Sequence, residues 1–345
     1  MLINIFNVTS PGVIEEFIDA VDINEQTVLV KVDTMAICKA DIRYFLGNRD
    51  INVLNHKYPL APIHEAVGEV IKDPTGNFKP GDKVILVPNS VDEGYLDNGN
   101  RRCHRPDLGE NYYPKAIFRS STADGFLRNF YTCTPDLLVK YDDSIDPSIA
   151  VFSELLSVAH AAIRRINFNE VQKLALFGDG IMAYIVYIML TNTYPNLDLT
   201  VFGIDDNKLA CFKKAKTAKA DTYNGEKFDT LIESVGGKFS ESAINTMIDL
   251  AIPGADLILM GVSEEKVALN TRVVLDKGLS LKGVTRSSKE DFAVVAKMLE
   301  NPEVIKDLSI MVLSKNKINS VNDIYRCFEE DINNKTVIGK NLMHW

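Results

Sequence analysis

The chain has 345 residues, which at about 150 residues per domain points to two domains. Its 38 Lys and Arg against 47 Asp and Glu give a formal charge of −9, which argues against a nucleic-acid partner. No apolar run approaches the ~18 residues of a membrane span, and five scattered cysteines (Cys38, Cys103, Cys133, Cys211, Cys327) never form C-x-x-C, so a disulfide framework and a four-thiolate zinc knuckle are excluded.

With the first basic residue at Lys31 there is no basic leader, and the expected setting is a reducing cytoplasm with no membrane partner. The first ~145 residues read as β-rich. Thr27 to Val32 is a β-branched run, Ala66 to Ile71 alternates, Asp73-Pro-Thr-Gly turns, and Val84 to Val87 follows Gly81-Asp-Lys. From Ser153 the texture changes. Helices are expected over Ser153 to Arg165, Ile181 to Leu190 and Lys208 to Lys219. Strands are expected over Lys173 to Phe177, Leu199 to Phe202, Leu231 to Glu233, Asp256 to Met260 and Leu279 to Gly283. Strands alternating with helices imply a doubly wound parallel sheet, so the class is α/β. The tail from Val294 returns to mixed helix and strand and is expected to pack back on the first domain.

Leu174-Ala-Leu-Phe-Gly178-Asp-Gly180-Ile-Met-Ala183 reads as strand, G-x-G-x-x-A, helix. Gly178 permits the tight turn, Gly180 lets the backbone approach a pyrophosphate, and Ala183 lets the helix pack close. The helix N-terminus supplies N–H groups for the pyrophosphate. A bare glycine-rich turn is the competing reading, but the flanking strand and helix favour a dinucleotide. The second strand leads to Gly203, 203 − 178 = 25 residues beyond Gly178, with Asp205 and Asp206 slightly later. A glycine there removes the carboxylate that repels a 2′-phosphate, which favours NADP over NAD, with Lys208 the nearest cation. The alternative is Asp205 reaching the ribose of NAD.

Cys38, His64 and Glu65 lie in the β-rich half and Glu154 at the junction. A thiolate, an imidazole and a carboxylate are what a catalytic zinc takes. Spacing alone leaves other readings open: a buried apolar Cys, a surface His-Glu pair, a helix N-terminal acid.

The combination resembles a family. Cys38-Lys-Ala-Asp41, His64-Glu65-Ala-Val-Gly68-Glu-Val and Gly81-Asp-Lys-Val84 are similar to successive signatures of the zinc-dependent medium-chain dehydrogenases/reductases. Asp124-Gly125-Phe-Leu-Arg-Asn-Phe130 and Glu154-Leu-Leu-Ser-Val-Ala-His160-Ala resemble its polyol branch. The likeness continues through Glu233-Ser-Val-Gly236-Gly237, Gly261-Val262 and Gly283-Val-Thr-Arg286. Cys38-Lys-Ala-Asp-Ile-Arg43-Tyr44, Phe118-Arg119-Ser120-Ser121, Val201-Phe-Gly203 and Thr285-Arg286-Ser287-Ser288 resemble the ribulose-5-phosphate reductases within that branch.

The resemblance implies a GroES-like β-rich catalytic domain over 1–148, a Rossmann NADP(H)-binding domain over 149–284, and a segment 285–345 completing the first. It implies one catalytic zinc on Cys38, His64 and Glu65, with Glu154 either a fourth ligand or the partner of the metal-bound water. Asp41, Tyr44 and Glu154 would be catalytic. Arg43, Tyr44, Arg119, Ser120, Ser121 and Arg286 would meet a phosphorylated sugar, guanidinium forks suiting phosphate oxygens. Gly178, Gly180, Ala183, Gly203, Lys208, Gly236, Gly261 and Val262 would line the cofactor site. A homodimer through the edge of the Rossmann sheet and a cytidylyltransferase partner are further implications.

Three departures stand out. Ala40 replaces the hydroxyl residue of the usual proton relay, and Ile63 replaces the usual Gly before His64. The lobe that holds a structural zinc is missing, since the stretch from Pro88 to Lys115 has only Cys103. Arg101, Arg102 and Arg105 read as loop surface charge, and His160 as a packed histidine. The expected activity is NADPH-dependent reduction of D-ribulose 5-phosphate to D-ribitol 5-phosphate, supplying CDP-ribitol for teichoic acid or capsule. The alternatives are an NAD-dependent sorbitol- or xylitol-type dehydrogenase, a non-catalytic NADP sensor, and a zinc-free quinone reductase.

Overall fold

The computed structural model describes residues 1–91, 108–113 and 115–345. Arg101, Arg102, Cys103, His104 and Arg105 lie outside these residues. The chain divides into two compact units: Met1–Ser157 with Arg286–Lys335 and Gly339–Trp345, and Val158–Thr285 with Thr336–Ile338. The first boundary falls at Ser157/Val158 rather than the expected 148/149. The short helix Pro147–Ala150 contacts the strands Val28–Ala36 and Glu65–Lys72, and Ser157 Oγ hydrogen-bonds Ser287 Oγ at 2.7 Å. Those contacts keep 149–157 with the first unit.

The first unit is built on a seven-stranded sheet. At its centre Val28–Ala36, an almost wholly buried strand, pairs antiparallel with Glu65–Lys72, Lys340–His344 and Phe130–Cys133. Register decides the function of this sheet. Ala36 lies opposite Glu65 on one side and opposite Leu342 on the other. Cys38, two residues beyond Ala36, therefore meets His64, Glu65 and Lys340 at one end of the sheet. Cys38 then caps the helix Lys39–Phe45. An N-terminal antiparallel pair, Leu2–Ser10 with Val13–Ala20, was not visible in the sequence pattern. Its second strand is largely exposed, so no apolar alternation marks it.

The second unit holds a six-stranded, all-parallel sheet. Its order is Lys216–Ala218, Asp198–Phe202, Lys173–Phe177, Phe228–Glu233, Ala251–Leu259, Ser280–Gly283. In chain order within the unit that is 3-2-1-4-5-6, the dinucleotide-binding arrangement. Phe177 and Phe202 stack in its core with centroids 4.5 Å apart, and Phe228 meets Phe202 edge-on at 5.7 Å. The helix Ile181–Thr193 is buried from Ala183 to Leu190, as its unbroken apolar run dictates. The helix expected over Lys208 to Lys219 is corrected: only Asp206–Leu209 is helical, and Lys216–Ala218 is an edge strand. Lysine-rich composition favours a helix, but pairing with Thr200–Phe202 wins. Among the described residues no helix is long and apolar enough to cross a membrane.

Candidate active site

The ligand atoms of Cys38, His64 and Glu65 all lie within 4.8 Å of one another. Among the described residues they are the one group of three metal-ligating side chains so placed. A sulfur, an imidazole nitrogen and a carboxylate oxygen, each able to lie about 2.0–2.3 Å from one ion, are a zinc donor set. The residues present therefore fit the metal. Glu154 is a buried carboxyl beside this group and is not among the donors that lie so close together.

His64 is held by its neighbours. Its Nδ1 lies 2.7 Å from Ser120 Oγ, a hydrogen bond, and 3.6 Å from Asp41 Oδ1, which is too long for one. Asp41 is instead committed to backbone: it accepts the N–H of Cys38 at 2.9 Å and of Ile63 at 3.0 Å. One buried carboxylate thus fixes the backbone beside two metal-binding side chains. Burial lowers the His64 pKa, yet Asp41 and Cys38 outweigh it and hold the imidazole well above its ordinary value.

Ile63 explains a departure noted above. It adopts φ 77, a conformation that glycine takes freely and a β-branched residue does not. The fully buried side chain, the bond to Asp41 and the Phe126 N–H donated to the Ile63 carbonyl at 2.7 Å hold it there. Gly125 lies so close that an added Cβ would stand 2.2 Å from the Ile63 oxygen.

Lys340 is the residue that sequence reasoning missed here. It is 3% exposed, and its Nζ donates to Glu65 Oε1 at 2.5 Å, Glu65 Oε2 at 2.6 Å and the Ile37 carbonyl at 3.0 Å. Glu65 therefore carries its own counter-ion into the donor group. Burial pushes the nearby Glu154 carboxyl up to about 7; Glu65 and Asp41 add to the rise, while His64 and Lys340 oppose it.

Around these groups stand the expected substrate residues. The buried Tyr44 has its hydroxyl 3.5 Å from Ser121 Oγ, and the Arg49 guanidinium lies over its ring at 4.7 Å. Arg286, at φ 56, places its guanidinium 4.5 Å from the centre of the Phe118 ring and within the electrostatic reach of Tyr44 and Glu154. Phe118 in turn lies 5.1 Å from His64. Arg286 is followed by Ser287, whose carbonyl accepts from Asn89 at 2.6 Å, and by Ser288, which begins the helix Lys289–Met298. Ser120 is buried, with its Oγ on His64 Nδ1. Arg119 turns to Tyr131, 5.6 Å from its ring. Arg43 is half-buried on the helix Lys39–Phe45.

The dinucleotide residues lie in the second unit. Gly178, at φ 128, turns the chain out of the first strand. Gly180 begins the helix Ile181–Thr193 with no side-chain cap, the kind of helix start whose N–H groups can take an anion. Ala183 is fully buried. Gly203 has a partner the sequence did not reveal: an added Cβ would stand 2.7 Å from Asp179 Cβ and 2.8 Å from Asp179 Oδ2. Lys208 gives its N–H to Asp205 Oδ1 at 3.3 Å. The fully buried Glu233 accepts from the N–H of Val235, Gly236 and Gly261 at 2.8–2.9 Å. The N–H groups of Gly236 and Gly261 are thus bound by protein, while the exposed Val262 accepts at its carbonyl from Gly237.

The family profile of the alcohol dehydrogenase GroES-like domain matches residues 24–143. Ribulose-5-phosphate reductase 1 of Staphylococcus aureus is 37% identical over 100% of this chain and 99% of its own. The chain belongs to the ribulose-5-phosphate reductase family. The ribulose-5-phosphate reductase of Bacillus spizizenii is 36% identical over 94% of this chain and 93% of its own. The crystal structure of S. aureus TarJ in complex with NADPH superposes with a TM-score of 0.85 at 34% identity, covering 100% of this chain and 99% of that one.

This reductase-family chain is therefore an oxidoreductase of the medium-chain dehydrogenase/reductase fold. Beyond the donor group, sequence reasoning missed Lys340, Arg49, Asp179 and Glu233. A Lys between Ile338 and Leu342 in the C-terminal strand was the available signal for Lys340, since a fully buried lysine requires an acidic partner.

Proposed function

We propose that this chain reduces D-ribulose 5-phosphate to D-ribitol 5-phosphate. The observation that carries the reading is the group Cys38, His64 and Glu65 with a proton-holding carboxyl, Glu154, and a cation, Arg286, beside it. A bound zinc supplies Lewis-acid polarisation of the C2 ketone, and NADPH supplies the hydride. The protein supplies the rest. Burial keeps a proton on Glu154 near neutral pH, and the carboxyl gives it to the C2 oxygen as hydride reaches carbon. Ala40 has no hydroxyl to offer, and Tyr44, whose hydroxyl lies 3.5 Å from Ser121 Oγ and which is within the electrostatic reach of Arg286, takes the relay of protons. Arg286 holds the phosphate, with Arg49 over the Tyr44 ring as the second cation. The open first turn after Gly180 takes the pyrophosphate.

The product suits a cytidylyltransferase that makes CDP-ribitol for teichoic acid or capsule, in the cytoplasm. A homodimer through the edge strand Ser280–Gly283, which pairs on one side with Ala251–Leu259, is part of the same reading. The test compares NADPH oxidation with D-ribulose 5-phosphate, D-ribulose and fructose, alongside NAD-dependent sorbitol oxidation. A kcat/KM for the phosphorylated ketose at least a hundredfold above the others supports the proposal. Equal rates, or faster sorbitol oxidation, would favour a polyol dehydrogenase.

A further inference from the structure

We propose that Asn89 is a positioning residue for the substrate's phosphate: its side-chain amide, bonded to the carbonyl of Ser287, holds Arg286 in the left-handed conformation that lays its guanidinium over Phe118. The proposal rests on the phosphate role given to Arg286 above and deepens it. Arg286 stands at φ 56. A residue with a Cβ is strained there, and such a conformation persists only where the surroundings over-determine it. Arg286 is also the first residue of its unit after the chain leaves the second unit, so its place depends on what holds the residues that follow it.

Ser287 is fully buried and is gripped at both its main chain and its side chain. Its carbonyl accepts from Asn89 Nδ2 at 2.6 Å. Its Oγ lies 2.7 Å from Ser157 Oγ. Ser157 gives its one hydroxyl hydrogen to the Glu154 carbonyl at 2.6 Å, so Ser287 is the donor of the serine pair. Ser288 is fixed in turn by the helix it begins, where Asp291 accepts its N–H at 2.7 Å. Asn89 differs from these other holds because it is tied to the guanidinium as well, through Phe118. It lies directly opposite Phe118 in the antiparallel pair Asn89–Ser90 with Ile117–Phe118, and the Arg286 guanidinium rests 4.5 Å from the centre of the Phe118 ring. One cross-strand pair thus holds Arg286 at two points, with a ring under its charge and an amide on the next carbonyl. Asn89 is 2% exposed, and among the described residues its Oδ1 accepts no hydrogen bond. A buried acceptor left unpaired is unfavourable, so what suits an amide to this position is the bond it donates to Ser287.

Asn89→Leu keeps the shape and removes the donor. Steady-state kinetics with D-ribulose 5-phosphate and with D-ribulose are run on the full-length, zinc-loaded enzyme with NADPH, for wild type, Asn89→Leu, Arg286→Ala and the double variant. Asn89→Leu is expected to raise KM for the phosphorylated ketose about 10- to 100-fold, with kcat within about threefold. Its kcat/KM for D-ribulose is expected to stay within about threefold of wild type. In the Arg286→Ala background the same substitution is expected to add less than about threefold, because the side chain it positions is gone. An unchanged KM, equal losses with both ketoses, or full additivity with Arg286→Ala would leave Asn89 a structural residue only and overturn the proposal. Should Asn89→Leu fail to fold, Asn89→Ser, too short to reach the Ser287 carbonyl, is read in the same way. If Arg286→Ala leaves the preference for the phosphorylated ketose intact, the phosphate role of Arg286 falls and this inference with it. If wild type reduces neither ketose, the proposed function falls and takes both with it.

Discussion

Ser120 Oγ lies 2.7 Å from His64 Nδ1, and this contact leaves the other ring nitrogen for a metal. A histidine ligand is oriented by what its second nitrogen bonds, and here a serine takes that part while Asp41 holds backbone. Ser120 adopts φ 60, so Ser120→Gly removes the hydroxyl without straining the backbone. Zinc affinity, measured by competition with a chromophoric chelator, is expected to fall about 10- to 100-fold. Unchanged affinity would reduce the contact to packing.

Cys38 offers the one sulfur of the donor group. Cys38→Ser is expected to abolish zinc retention and ketose reduction while NADPH binding survives, because the dinucleotide residues belong to the other unit. Metal content by atomic emission and NADPH binding by fluorescence check both halves. Turnover without bound metal would remove Cys38 from the chemistry.

Lys340 and Glu65 are both nearly inaccessible to solvent, at 3% and 0%. Removing one partner of a buried ion pair leaves the other uncompensated and costs about 3–5 kcal/mol. Lys340→Met is therefore expected to lower the urea midpoint sharply, and Glu65→Gln in the same chain to restore part of the loss. A single variant as stable as wild type would mean that the pair contributes little.

Glu154 sets a pH dependence in the metal-free protein. Burial raises its folded pKa to about 7, above the unfolded value of about 4.3. The folded state then binds the extra proton, so the associated stability is complete below the unfolded pKa and is lost as pH rises through about 7. Urea midpoints of chelator-treated protein are expected to fall between about pH 5 and pH 8, and Glu154→Gln to flatten the fall. A variant with the wild-type slope would assign the dependence elsewhere.

The parallel sheet was legible because alternating apolar strands and helices have distinct periods, and the Gly178 turn marked its first crossover. The edge strand Lys216–Ala218 was not, since an exposed three-residue strand carries no pattern. Cys38, His64 and Glu65 could be named as candidates, but only the register of Ala36 against Glu65 and Leu342 brings them together with Lys340. Gly203 records that space is needed, and the space is filled by Asp179 from 203 − 179 = 24 residues earlier. Arg119 and Ser120 show the same limit: adjacent residues of suitable chemistry face opposite sides, one to Tyr131 and one to His64.

The most direct measurement is NADPH oxidation with D-ribulose 5-phosphate before chelation, after chelation, and after zinc is returned. The account predicts formation of ribitol 5-phosphate, its loss with the metal, and recovery of most of the rate on re-addition in wild type but not in Cys38→Ser. Reduction that persists undiminished in the metal-free protein, or no reduction of this ketose by the zinc-loaded enzyme, would contradict it.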